Sequence, residues 1–183
     1  AIREFRKLYP ETRVTFHVKS SADIRNGIVD GQYDIGLAAD EIDRSGIDLQ
    51  VFGSYAAVIA MAHDHPLARY EKLTPEILGE TPLLGLVPED RARQRFDKLL
   101  EELGVTPRYV LETPNSATIC ALAEEGDAVG IVNPVVIASF KGRDVTFRPF
   151  EPKVMFRSLL LYPAAEQKSR LIREFTRVLL EQR

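Results

Sequence analysis

The sequence predicts an α/β chain of two lobes, the first of them discontinuous. Three observations predict it. Strand-period and helix-period stretches alternate from end to end. Two sets of such patterns exist, one ending near Phe52 and one beginning at Thr74. Two apolar runs, 56–62 and 157–162, lie at the outward and return junctions between those sets. A run apolar on both faces needs cover on both faces, so these two read as neighbouring strands joining the lobes. The lobes are then 1–60 with 155–183, and 61–154, and the cleft between them is the expected place for a small ligand.

In chain order, Ile2, Phe5 and Leu8 recur at helical spacing among Arg3, Arg6 and Lys7, and Pro10 ends the pattern. Val14, Phe16 and Val18 alternate with Thr15 and His17, the period of a half-buried strand. Ser20, Ser21 and Asp23 form a helix entry in which a Ser oxygen caps free amides, with Ile24 and Ile28 as the apolar stripe and Gly31 as the stop. Residues 33–39 read as a short strand presenting Ala39 and Asp40 to a polar loop, 40–48. Carboxyl ends of strands are where ligands sit in open α/β sheets. Residues 49–52 lead into the first apolar run, whose centre, 58–61, is the strand expected to leave the first lobe.

In the second lobe Thr74, Pro75 and Glu76 start a short helix, followed by a strand at 83–87. Pro88, Glu89 and Asp90 open a longer helix with Phe96, Leu99, Leu100 and Leu103 on one face and Gly104 at its end. After a strand at 109–111, Thr113-Pro-Asn-Ser116 caps a helix bearing Ile119, Leu122 and Ala123 that stops at Gly126. Residues 129–132 are the next strand, Asn133 and Pro134 open another helix through Phe140, and Val145 and Phe147 mark a last strand. The return run is followed by a helix over 166–181 with Leu171, Ile172, Phe175, Val178 and Leu179 on its buried stripe.

Composition excludes several classes. With 183 residues, 45% hydrophobic and 28% charged, the chain holds one sizeable core or two small ones. A net charge of −3 leaves no basic footprint for nucleic acid in this piece. The single Cys120 excludes an internal disulfide and a Cys-based zinc cluster and fits a reducing compartment. No run is long enough to span a bilayer and no signal-type core is present, although the chain opens with Ala rather than Met. Hydrolase, metalloprotease, phosphate-loop and dinucleotide signatures are absent, so no catalytic residue is assigned. Cys120 sits in an apolar helix pattern and reads as core. His63 and His65 share a strand face but lack a third ligand, so no metal and no cofactor is expected.

The segments Phe5-Arg-Lys-Leu-Tyr-Pro10, Asp30-Gly-Gln-Tyr-Asp-Ile-Gly36 and His65-Pro-Leu-Ala68, with the helix, Gly, strand, Asn-Pro order from Glu112 to Pro134, resemble the effector-binding domain of LysR-type transcriptional regulators. Phe147-Arg-Pro-Phe150 together with Asn133-Pro134 is similar to the opine-catabolism members, which respond to octopine or nopaline. The resemblance implies a periplasmic-binding-protein type II fold: two Rossmann-like lobes joined by two crossing strands, here without the first strand of lobe one and the effector-touching loop after it. The spacing from Gly126 to Gly130 departs from the usual Gly-x-Gly of the family. Also implied are a small carboxylate or amino-acid-like effector, an amino-terminal winged helix-turn-helix through which alone DNA is contacted, a homodimer or homotetramer, a cytoplasmic location and no membrane partner.

The resemblance places effector contacts at Ser21, near Ala39 and Asp40, around Asp90 and Arg91, and at Asn115 and Ser116; Ser20 and Asn133 complete the candidate set. Physical chemistry supports the helix starts independently, since free amides and the helix dipole attract anions. Each of these residues also reads as an ordinary cap or turn. Asp40, Glu89, Asp90 and Arg91 suit a zwitterion if they face inward and a solvated loop if they do not. The helix of Ile2, Phe5 and Leu8 and the helix of Phe96 to Leu103 pair across a head-to-tail dimer in the family, or pack within their own lobes. A transporter's solute-binding protein and an enzyme on the same scaffold are the competing readings.

Overall fold

The computed structural model describes residues 1–40, 42–164 and 168–182. In chain order the elements are α1 (Ile2–Leu8), α2 (Ser21–Val29), β1 (Gly36–Ala39), β2 (Ile47–Ala56), β3 (Val58–Ala62), α3 (Pro75–Leu78), β4 (Leu83–Leu86), α4 (Arg91–Glu102), β5 (Tyr109–Thr113), α5 (Ser116–Ala123), β6 (Val129–Val132), β7 (Val145–Pro149), β8 (Met155–Pro163) and α6 (Arg170–Glu181). Tight three-residue-per-turn helices occupy Pro66–Arg69 and Pro134–Phe140. The chain divides into two compact units, Ala1–Ser54 with Arg157–Arg183, and Tyr55–Phe156.

The second unit is built on a five-stranded sheet in the order β5-β4-β6-β3-β7. β4 runs parallel to β5 and β6, while β3 is antiparallel to β6 and β7. Interior strands of such a sheet are covered on both faces, which is why β3, β4 and β6 read as unbroken apolar runs. Ile59, Met61, Phe96, Leu100, Ile119, Ile131 and Phe150 pack into one core, with the rings of Phe96 and Phe150 edge to face at 5.1 Å. Helix α5 lies so close to β6 that a Cβ on Gly130 would stand 2.2 Å from Ile119 Cγ2 and 2.8 Å from the Leu84 carbonyl oxygen. Glycine is required there for space. The family-like segments around His65 and Phe147 meet here: Arg148 donates to the Ala68 and Tyr70 carbonyls, and His65 accepts from the Leu67 amide through Nδ1 while its Nε2 reaches the Asp127 carbonyl at 3.1 Å. Both histidine nitrogens are thereby engaged in holding a turn.

The first unit carries a three-stranded sheet, β1-β8-β2. β1 and β8 are antiparallel, pairing Gly36 with Leu161 and Ala39 with Ser158. Ile24 and Ile28 of α2 pack on Ala38, Ile47, Leu159 and Leu161, and Phe5 of α1 meets Phe175 of α6 edge to face at 5.1 Å.

The structure departs from the sequence expectation in four places. Residues 14–18 form no strand, and Phe16 and Val18 are 72% and 73% exposed. Their alternation suits a strand, but a strand exists only by pairing, and among the described residues no backbone partner lies beside them. Second, the strand expected over 33–39 is confined to Gly36–Ala39, where β8 supplies the partner. Third, residues 58–61 are not a connecting strand: β3 is interior to the second unit's sheet, and the strand beside the returning β8 is β2. Being apolar on both faces is the property of an interior strand as much as of a crossing one. The chain enters and leaves the second unit side by side, the Ala57 amide donating to the Val154 carbonyl at 2.8 Å. Fourth, only Val178 of the α6 stripe is buried. Leu171, Ile172, Phe175 and Leu179 instead line, with Phe16, Val18 and Leu37, a cavity of about 1030 Å³ in the first unit. The expected start of this helix at Glu166 lies outside the described residues; Ser169 caps it, accepting from the Ile172 amide.

Candidate functional site

In each unit a helix begins at a serine that also holds the end of the following strand. The Ser20 hydroxyl accepts from the Asp23 amide at 3.1 Å and donates to the Asp23 carboxylate at 2.8 Å, closing the N-terminus of α2. The next residue, Ser21, turns its hydroxyl to the strand: it accepts from the amide of Ala39, the last residue of β1, at 3.1 Å. In the second unit Asn115 caps α5 by accepting from the Ala117 amide at 2.8 Å, and Ser116 accepts from the Asn133 amide, just past β6, at 3.3 Å. Asn133 in turn accepts from the Val135 amide at 3.1 Å. The two constellations are alike: helix cap, first-turn serine, and strand end.

This geometry fixes what the serines can offer. A hydroxyl that accepts from a fixed backbone amide has its own hydrogen left to donate, and neither Ser21 nor Ser116 donates to another described residue. Both are half-buried. A donor hydroxyl beside first-turn amides at a positive helix end suits a carboxylate or another anion.

The charged candidates divide by unit. Asp40 follows directly on Ala39, its side chain only 11% exposed, with Arg157 Nη1 at 3.7 Å. Asp90 spends its carboxylate as the cap of α4, accepting from the Ala92 and Arg93 amides at 2.8 and 3.1 Å, and Arg91 donates to Gln94 at 2.7 Å. Ser20, Ser21, Ala39 and Asp40 thus gather in the first unit, and Asn115, Ser116 and Asn133 in the second. Asp90 and Arg91 stand where α4 leaves the carboxyl end of β4, whose Leu86 pairs with Thr113 of β5. The cavities of about 480 and 1030 Å³ are lined by other residues.

Sequence reasoning missed two features. One is Arg157, whose place opposite the strand end depends on the β1–β8 register. The other is the pillar behind α4: Arg93, 6% exposed, donates to Asp97, the Leu86 carbonyl and Glu112 at 2.6, 2.6 and 2.9 Å, and lies 3.3 Å over the Tyr109 ring. Tyr109 donates to Asp97 at 2.5 Å, and burial, then that hydrogen bond, pushes its hydroxyl pKa far above the usual range. A Cβ on Gly85 would meet Arg93 at 2.5 Å, so a glycine in the short apolar strand β4 was the available signal. Burial pushes the Cys120 thiol up to about 12, which makes it inert.

A family model described as the LysR substrate binding domain matches residues 1–183. The chain belongs to that family. The transcriptional activator LysR of Escherichia coli K12 is 25% identical over 175 residues, covering 96% of this chain and 56% of its own length. The regulatory protein NocR of Agrobacterium tumefaciens T37 is 28% identical over 149 residues, covering 81% of this chain and 50% of its own. The chain therefore spans about half the length of these curated relatives. The structure of the Synechocystis PCC6803 CcmR regulatory domain in complex with 2-PG superposes with a TM-score of 0.83 at 18% identity, covering 99% of this chain and 88% of that one. At that identity the likeness concerns the fold, the type II periplasmic-binding-protein-like arrangement of LysR effector-binding domains. Among the described residues no helix is long and apolar enough to cross a membrane, and no group of three or more His, Cys, Asp or Glu could hold a metal ion.

Proposed function

We propose that this domain senses a small carboxylate or amino-acid-like effector, of which an opine is one candidate, and relays its binding to an amino-terminal winged helix-turn-helix in the full-length regulator. The observation that carries this is the repeated serine: Ser21 and Ser116 each accept a strand-end amide and keep a donor hydrogen for an acceptor. Ser20, Ala39 and Asp40 complete the first unit's contribution, and Asn115, Asn133, Asp90 and Arg91 the second's. The relatives are a transcriptional activator and a regulatory protein, which favours this reading over a transporter's solute-binding protein or an enzyme. A homodimer or homotetramer in the cytoplasm, touching DNA only through the winged helix-turn-helix, follows from the same reading. A ligand shifts the regulator only by its difference in affinity for two arrangements, so binding must be stronger in one of them.

Thermal melting with a panel of amino acids, opines and aromatic acids tests this. Ligand-induced stabilisation in the wild type, abolished by Ser21→Phe or Ser116→Phe while the ligand-free variants still unfold cooperatively, is the expected result. An unchanged ligand response in both variants would contradict it.

A further inference from the structure

We propose that Asp40 and Arg157 form a specificity-determining pair in the first unit that receives the head group of an α-amino acid, Arg157 taking its carboxylate and Asp40 its ammonium. This rests on the ligand-sensing reading above and narrows its ligand to zwitterions.

The pair is placed by strand register. Ala39 of β1 faces Ser158 of β8 in an antiparallel ladder, so the next residues along the two strands are Asp40 and Arg157. They stand at the carboxyl end of β1, beside the Ala39 amide that Ser21 holds. Asp40 is well sheltered, with a side chain 11% exposed, and a sheltered carboxylate is costly without a cation. Arg157 is one of its partners, and a loosely held one. Its Nη1 is 3.7 Å from Asp40, beyond hydrogen-bond length, and its side chain is 58% exposed. Arg157 makes no hydrogen bond to another described residue.

The guanidinium is thus kept at the strand end by charge while its donors stay uncommitted. Such a fork accepts a carboxylate through two parallel hydrogen bonds. A ligand bearing only carboxylates would bring that charge up to Asp40 and meet repulsion. An amine alone would leave Arg157 without a new partner. An α-amino acid satisfies both, because its ammonium and carboxylate share one carbon.

Thermal melting and calorimetry with L-α-amino acids, octopine and nopaline, run beside matched analogues, test the pair. Glutarate is L-glutamate without its ammonium, and agmatine is L-arginine without its carboxylate. At least one amino acid should stabilise the wild type more than its analogue does. Arg157→Gln should weaken that ligand about tenfold or more, and Arg157→Lys, which keeps the charge and loses the fork, should retain part of the binding. Asp40→Asn should weaken the amino acid while improving the carboxylate-only analogue. If these variants respond like wild type while Ser21→Phe abolishes binding, the pair is not the determinant and the sensing reading stands. No response of the wild type to any probe overturns both.

Discussion

The two units use similar sequence patterns and bury them to different extents. In the second, every apolar run has a neighbour: β3 and β6 are interior, β4 lies between β5 and β6, and one continuous core spans the sheet. In the first, residues with equally regular patterns face a cavity of about 1030 Å³. The difference teaches that periodicity states what a segment can bury, whereas pairing decides what it does bury.

Substitution of the two phenylalanines sharpens this contrast most. Phe96→Ala should cost about 3–5 kcal/mol, since it empties a fully buried site packed on Phe150. Phe16→Ala should fall within about 0.5 kcal/mol, as for other exposed sites. Urea denaturation measures both, and comparable costs would break the comparison. Next in size is Arg93→Ala, expected to cost about 2 kcal/mol because it strips a buried guanidinium from the Leu86 carbonyl and two carboxylates. Arg93→Lys should not restore the loss, because an ammonium cannot reach three acceptors in the fork's geometry.

The smallest effect is a pH dependence through Cys120. Its folded pKa, about 12, is raised above the ordinary value of 9.0 by burial. A raised folded value contributes stability that is complete below the ordinary thiol range and is lost as pH rises from there toward the folded value. Native protein should therefore resist a thiol reagent at mildly alkaline pH and react at the rate of unfolding. Denaturation midpoints followed into that alkaline window, with Cys120→Ala as reference, check the sign.

Much of the fold was legible because helix starts and stops are local chemistry: Ser20, Thr74, Asp90, Asn115 and Asn133 all cap where the sequence placed caps. Residues 14–18 and the α6 stripe misled because their pattern is honoured only by a neighbouring segment. β3 misled because an interior strand and a crossing strand look alike in one dimension. At the candidate site the serines were visible as caps, but not the division of labour in which Ser20 caps and Ser21 grips Ala39, a contact 18 residues away. Arg157 was invisible for the same reason, since a lone arginine opening an apolar run carries no mark of what lies across the ladder.

Residue-resolved hydrogen exchange, with and without a stabilising effector, tests the central claim most directly. Ligand-free amides of 14–18 should exchange rapidly while Ile59 and Ile131 stay protected. Effector should then slow exchange at the first turn of α2 or of α5, where Ser21 and Ser116 stand. Protection appearing only away from Ser21 and Ser116 would contradict the account.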